Sequence, residues 1–176
     1  LDRLHRELPQ LKLQVVVSER EQPGTQTDAS ATLAFAAPPW PTGVEVFELM
    51  EEQICAVASP QLAAQCDPTK PGSLLANKLL YTSSRPQAWP QWATAKGLAL
   101  EQLEAALSRG QRFDHLYYLM EAAVAGLGIA IAPSLLVEDD LRSGRLVAPW
   151  GSIQTPARLC LWLPSQADSR RSEPLA

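Results

Sequence analysis

Two histidines, three cysteines and scattered hydroxyls are the chemically capable residues of this sequence, and their spacing limits what they can do. His5 and His115 stand far apart. Neither has a nucleophile pattern nearby, and the chain has no phosphate-cradling glycine loop and no metal-ligand spacing. No catalytic residue, metal site or cofactor is therefore assigned, and an enzyme is not expected. Cys55, Cys66 and Cys160 form no C-x-x-C pair and leave an odd count, which argues against a disulfide framework and for a reducing compartment. Cys55 and Cys160 lie in apolar stretches and read as small buried hydrophobes, with no paired spacing for redox sensing. The place best suited to ligand chemistry is Asp114-His115, just ahead of a helix. A helix start offers unpaired N–H groups and the positive end of a dipole, which suits a carboxylate or phosphate. His115 would add a donor whose charge changes near neutral pH. The plainer alternative makes Asp114 a helix cap and His115 a surface residue.

The elements that would position these residues follow from hydrophobic periodicity. Leu1, Leu4 and Leu8 mark a helix ended by Pro9, and residues 11–17 alternate as a strand. Residues 18–28 are polar and read as a loop. Residues 31–36, 44–49 and 54–58 read as three short apolar strands, the last stopped by Ser59-Pro60. Pro60 suits the first turn of a helix. Leu79 to Thr82 is a further strand. Trp89 and Trp92 sit on one face of a helix that stops at Gly97, where core packing explains them better than stacking on a ligand. The helix from His115 to Ala125 buries Leu116, Leu119, Met120, Ala123 and Val124, and Gly126-Leu127-Gly128 leads it into the strand Ile129 to Ala132. A helix opened by Pro133-Ser134 closes at Gly144, and Leu146-Val147 and Leu159 to Leu163 are the last strands. Alternating strands and helices predict an α/β protein with largely parallel sheets.

Bulk composition narrows the class. With 46% hydrophobic and 19% charged residues, 176 residues can bury a real core as one large domain or two small lobes. The net charge of −4 comes without a basic stripe; apart from Arg170-Arg171, Lys and Arg are scattered. A chain that neutralises phosphates by itself would show one, so this stretch is not expected to touch DNA. No apolar run approaches the length of a membrane span.

Several pieces, in order, resemble one family. Ser30-Ala31-Thr32-Leu33-Ala34-Phe35 after the first strand, the junction Val57-Ala58-Ser59-Pro60, the pair Trp89-Pro90-Gln91-Trp92, Phe113-Asp114, the run Met120 to Pro133 and Gly144-Arg145-Leu146-Val147 together resemble the effector-binding domain of LysR-type transcription regulators. The paired tryptophans resemble the branch of the glycine-cleavage and β-lactamase activators. The resemblance covers residues 1–164. It implies two Rossmann-like α/β lobes joined by two crossover strands, of the type 2 periplasmic-binding-protein kind. Residues 1–58 and 157–176 would form lobe I, and residues 59–156 lobe II. It further implies a cytoplasmic homodimer or homotetramer that senses a small effector between the lobes and binds promoter DNA through a winged helix-turn-helix, here expected to precede Leu1. The first strand of the domain and the loop after it, which forms one cleft wall, are expected to be absent from this piece, and its last helix to be cut short after Ala176. A periplasmic solute-binding protein of the same fold is the alternative.

The same resemblance names the cleft residues. Phe35 and Ala36 fall where the first-lobe strand meets the cleft. Thr82 and Ser83, with Ser84, follow a second-lobe strand and either line the cleft or are plain turn residues. Asp114, His115 and Leu116 stand where relatives carry Asp-Ser-Ser, and Leu159 where they often carry tyrosine. Ala36-Ala37-Pro38-Pro39-Trp40 replaces a glycine-rich turn, and Ser30 an aspartate. Apolar groups thus replace polar ones, which predicts a small, partly apolar effector or a site that has lost inducer control.

Overall fold

The computed structural model describes residues 6–10, 14, 16 and 31–164. The helix expected over residues 1–8 is seen only at Arg6 and Glu7, which are helical. The strand expected over 11–17 lies outside the described residues except for Gln14 and Val16; the loop 18–28, Ser30 and the tail beyond Pro164 lie outside them entirely.

Short apolar runs bounded by turn residues become strands, as the periodicity predicts. β1 spans Thr32–Ala36, β3 Leu79–Thr82 and β5 Ile129–Pro133. A further strand, β4 (Gln111–Phe113), is not an apolar run and was not expected. One expectation needs correction. The two runs 44–49 and 54–58 form a single 14-residue strand, β2 (Val44–Val57). The polar stretch Glu51-Glu52-Gln53 reads as a break, yet it continues the ladder with the long last strand, β6 (Ser152–Pro164), across register shifts at Glu48/Met50 and Glu51/Gln53. The helices are α1 (Pro60–Ala63), α2 (Ala88–Ala95), α3 (Leu100–Leu107), α4 (Leu116–Val124) and α5 (Glu138–Ser143), the last entered through a 3-10 turn at Ser134–Val137. Ser59 caps α1, accepting a hydrogen bond from the Leu62 N–H at 3.4 Å, and Gly144 closes α5 at φ 73°.

All six strands join one sheet in the order β1-β6-β2-β5-β3-β4. Its topology corrects the expectation of largely parallel pairing. The β1–β6, β6–β2 and β2–β5 pairs are antiparallel; β5–β3 and β3–β4 are parallel. The reason is that β2 and β6 are long neighbours running in opposite directions, whereas only β3, β4 and β5 are linked by helices. The Leu146-Val147 segment is a single bridge from Val147 to Ala58.

Residues alternate across the end of β2, and two apolar clusters follow from that period of two. Ile54, Ala56 and Ala58 join Leu79, Ile129, Ile131 and the α2–α3 face of Trp89, Trp92, Ala93 and Leu103. Cys55 and Val57 join Leu80, Ala130, Ala132, Leu119 and Leu146 under α4 and α5. The sheet is therefore covered on both faces here, as its unbroken apolar strands require. Trp89 and Trp92 pack edge to face at 5.8 Å, and Trp92 and Trp150 at 6.3 Å, so the tryptophans are core. Trp89 Nε1–H donates to the Leu80 carbonyl at 2.9 Å, tying α2 to β3.

Gly128 admits the close approach of β5 to β3. A Cβ there would sit 2.5 Å from the Lys78 carbonyl oxygen and 2.7 Å from Leu80 Cδ2. Gly128→Ala is expected to destabilise the protein by about 1–3 kcal/mol through this overpacking, read as a lower midpoint in urea unfolding followed by circular dichroism.

Candidate functional site

The sequence-predicted residues fall into two groups, on two parts of the sheet. Phe35 and Leu159 are direct cross-strand partners on β1 and β6, both half-buried, and Leu159 also pairs with Met50 of β2. Ala36 follows, opposite Arg158. The second group gathers where the parallel strands end. Thr82 closes β3 in register with Phe113 of β4, so Ser83 and Asp114 leave neighbouring strands side by side. Chain ends of parallel strands are where open α/β sheets bind ligands.

Details within the second group differ from expectation. His115, not Asp114, occupies the cap position of α4, in extended conformation and with no side-chain capping bond. Asp114 is exposed and lies 3.8 Å from Arg112 Nη2. The His115 ring is exposed and meets Tyr118 edge-on at 5.7 Å. Leu116 packs against the cluster under α4. Thr82 is buried, and its hydroxyl lies 3.3 Å from that of Ser84; Ser83 is exposed.

What joins the two groups is a set of residues that sequence reasoning missed. Glu52 sits in β2 at the second register shift and is only 2% exposed. Thr155 of β6 donates its hydroxyl to Glu52 Oε2 at 2.6 Å and accepts the Ala157 N–H at 3.1 Å. Glu52 Oε1 accepts from Arg85 Nη2 in a salt bridge. Arg85 lies in the turn after β3, where its own N–H meets the Thr82 carbonyl at 3.4 Å. Its guanidinium lies 5.3 Å from the centre of the Phe35 ring, a cation–π contact between the β3 turn and β1. Arg85 Nε is buried with no acceptor among the described residues. A carboxylate withdrawn from water must be paired and hydrogen-bonded, and both oxygens of Glu52 are. An arginine beside the predicted Ser83-Ser84 turn was the available signal; its partner, 33 residues earlier, was hidden in a stretch that reads as solvated linker.

A surface groove of about 490 Å³ lies between the outer face of α2 (Gln87, Gln91, Thr94) and the start of β6. It shares Thr155 with the Glu52 network and none of the predicted site residues. The cysteines are free and buried. Loss of hydration pushes all three thiols above their ordinary range; hydrogen bonds from Ser134 to Cys55 and from Asn77 to Cys66 oppose this only in part. Among the described residues no cluster of metal-ligating side chains occurs, and no helix is long and apolar enough to cross a membrane.

The LysR substrate binding domain family matches residues 1–175. The chain belongs to that family. A LysR relative, the HTH-type transcriptional regulator TrpI of Pseudomonas aeruginosa, is 52% identical over 178 aligned residues, which cover all of this chain and 59% of TrpI. The glycine cleavage system transcriptional activator of Escherichia coli K12 is 26% identical, over 82% of this chain and 46% of the activator. This LysR chain thus spans about half the length of these relatives. Among solved structures, the effector domain of AmpR from Pseudomonas aeruginosa matches with a TM-score of 0.78 at 25% identity, covering 94% of this chain and 77% of that one. The regulatory domain of CrgA from Neisseria meningitidis matches with a TM-score of 0.74 at 17% identity, over 96% of this chain and 81% of that one. The fold is that of the LysR effector-binding domain, two α/β lobes of the periplasmic-binding-protein kind. These relatives are regulators rather than enzymes or transport proteins, so the regulator is favoured over the periplasmic alternative.

Removing the partner of a buried charge is costly. Glu52→Leu leaves Arg85 uncompensated and is expected to cost about 2–3 kcal/mol, below the figure for a fully buried pair because the Arg85 side chain is 21% exposed. Adding Arg85→Met should recover part of that loss, and a double-mutant cycle in urea reads the coupling. The raised thiol pKa values predict that the native chain reacts slowly with a thiol reagent at neutral pH and that all three cysteines react at once on unfolding; absorbance of the released thiolate checks this.

Proposed function

We propose that this chain is the sensing part of a cytoplasmic LysR-type transcription factor, binding a small effector between two lobes and passing its occupancy to promoter DNA through a winged helix-turn-helix. The observation that carries this reading is the meeting of Phe35 on β1, Leu159 on β6 and the Thr82–Arg85 turn after β3 around one buried ion pair. Residues 1–58 and 157–176 make up lobe I and residues 59–156 lobe II, with β2 and β6 as the crossover strands. The register shifts at Glu48/Met50 and Glu51/Gln53 bend that pair where the lobes would hinge. Effector contacts come from Phe35, Ala36 and Leu159 on one wall and Thr82, Ser83, Asp114, His115 and Leu116 on the other. An effector acts only by preferring one lobe arrangement over another, and a cation–π contact between walls is one that such a change would make or break.

The protein assembles as a homodimer or homotetramer. The exposed aromatic edge of α4, where Tyr117 and Tyr118 meet at 5.6 Å and are 63% and 59% exposed, supports a subunit contact there. Half-buried Phe35 and Leu159 favour an effector with an apolar body.

A thermal-shift screen of amino acids, aromatic acids and nucleobases tests this reading. A true effector should stabilise the chain by about 2.7 kcal/mol when present at about a hundred times Kd. Leu159→Glu should abolish the shift, measured against that variant's own unliganded melting temperature. A ligand that stabilises wild type and Leu159→Glu alike would place its site elsewhere.

A further inference from the structure

Arg85 differs from the other ion-paired arginines of the described chain. Arg142 pairs with Glu138 and Asp139, Arg145 with Asp140, and Arg158 with Glu48 and Glu51, and each of these arginines is largely exposed. Arg85 instead points inward, from the turn after β3 to the β2–β6 crossing. Glu52 meets it through Oε1, while Oε2 accepts from Thr155. A guanidinium is a planar fork of five N–H donors, and the Nε–H of this one is buried with no acceptor among the described residues. Leaving such a donor unmade costs stability, so its retention calls for a reason.

We propose that an oxyanion of the effector completes Arg85: the ligand carries a carboxylate or phosphate that docks on the Nε–H edge, with its apolar body against Phe35 and Leu159. The proposal rests on the cleft reading above. Planar oxyanions match the guanidinium fork and form charge-assisted bonds with it. The exposed Ser83 and Ser84 of the same turn supply further donors beside it. Phe35 covers the guanidinium, so the anion gains its place as β1 and the β3 turn part. Binding then exchanges a cation–π contact for a charge-assisted hydrogen bond. Because Glu52 holds Arg85 through Nη2, any shift of the guanidinium is felt at the crossing strands.

The test compares matched probes on the intact chain at constant ionic strength: phenylacetate, phenyl phosphate and the neutral isostere phenylacetamide, each titrated into the millimolar range and read by thermal shift and calorimetry. The expected result is saturable binding of at least one anion and at least roughly tenfold weaker binding of the amide. The stronger of the two anions identifies the head group. Arg85→Lys retains the charge facing Glu52 but lacks the fork, and is expected to lose roughly tenfold in anion affinity while keeping the native circular dichroism spectrum. Equal binding of acid and amide, an unchanged affinity in Arg85→Lys, or no saturable response to either anion overturns the proposal. Phe35→Ala separates the two readings. If acid and amide bind wild type equally and Phe35→Ala abolishes both, the cleft stands and the anion role falls. If anions still bind through Arg85 with Phe35 and Leu159 both replaced by alanine, the arginine stands and the cleft falls.

Discussion

A carboxylate buried between two crossing strands is the constraint from which much of this molecule follows. Glu52 is almost wholly removed from water at a point where the β2–β6 ladder loses its register. Desolvating such a group costs several kcal/mol unless it is paired and hydrogen-bonded. The fold therefore has to bring Thr155 from β6 and Arg85 from the β3 turn to the same place. Once Arg85 is drawn inward, its guanidinium reaches Phe35, and the β1 strand is linked to the far part of the sheet. One ionised side chain in the wrong environment thus ties three segments distant in sequence.

The sheet around it is built from two kinds of pairing, for different reasons. Strands β3 and β5 are short, apolar and covered on both faces, β4 is a short edge strand, and helices connect the three, so parallel pairing is the natural outcome. β2 carries charged and exposed residues through most of its length, β6 alternates exposed with covered ones over much of its length, and the two pair antiparallel. Glu48 and Glu51 of β2 meet Arg158 of β6 across that ladder, which adds opposite-charge pairing on a solvated face. A ribbon of this sort can bend at its bulges without disrupting an apolar core, whereas the parallel part cannot.

Where each strand is a compact apolar run, local pattern was enough to find it; β1, β3 and β5 fall within a residue or two of their expected bounds. The same rule failed at β2, because a strand that passes from a solvated ribbon into a core changes its period midway. Helix α3 was passed over although Leu100, Leu103 and Leu107 stand at helical spacing with Glu101 and Glu104 between them. Glu52 and Arg85 are another matter. Each looks locally like a surface charge, and only the pairing of residues 33 positions apart makes both buried. Non-local burial of charge leaves no mark in a window of one element's length. The order of the family-like pieces, by contrast, depends on the whole chain, which is why it carried the fold class when no single motif could.

The structure also redistributes the argument about polarity around the candidate residues. Leucine at position 116, in place of a family hydroxyl, looks in sequence like the loss of a ligand contact. In place it packs against the cluster beneath α4, so part of its role is core packing and its apolar character says less about a ligand. Leu159 is different: it stands half-buried between Phe35 and Met50 on the ribbon, with no comparable core behind it among the described clusters. In the proposed cleft, the apolar surface would therefore be set by Phe35 and Leu159, and the cationic group nearest to it is Arg85, in the turn after β3. Such a division, an apolar wall from one set of strands and a cationic turn from the other, would orient an amphipathic molecule across the sheet rather than along it. A ligand touching both would respond to their separation, which is what the proposed sensing role requires.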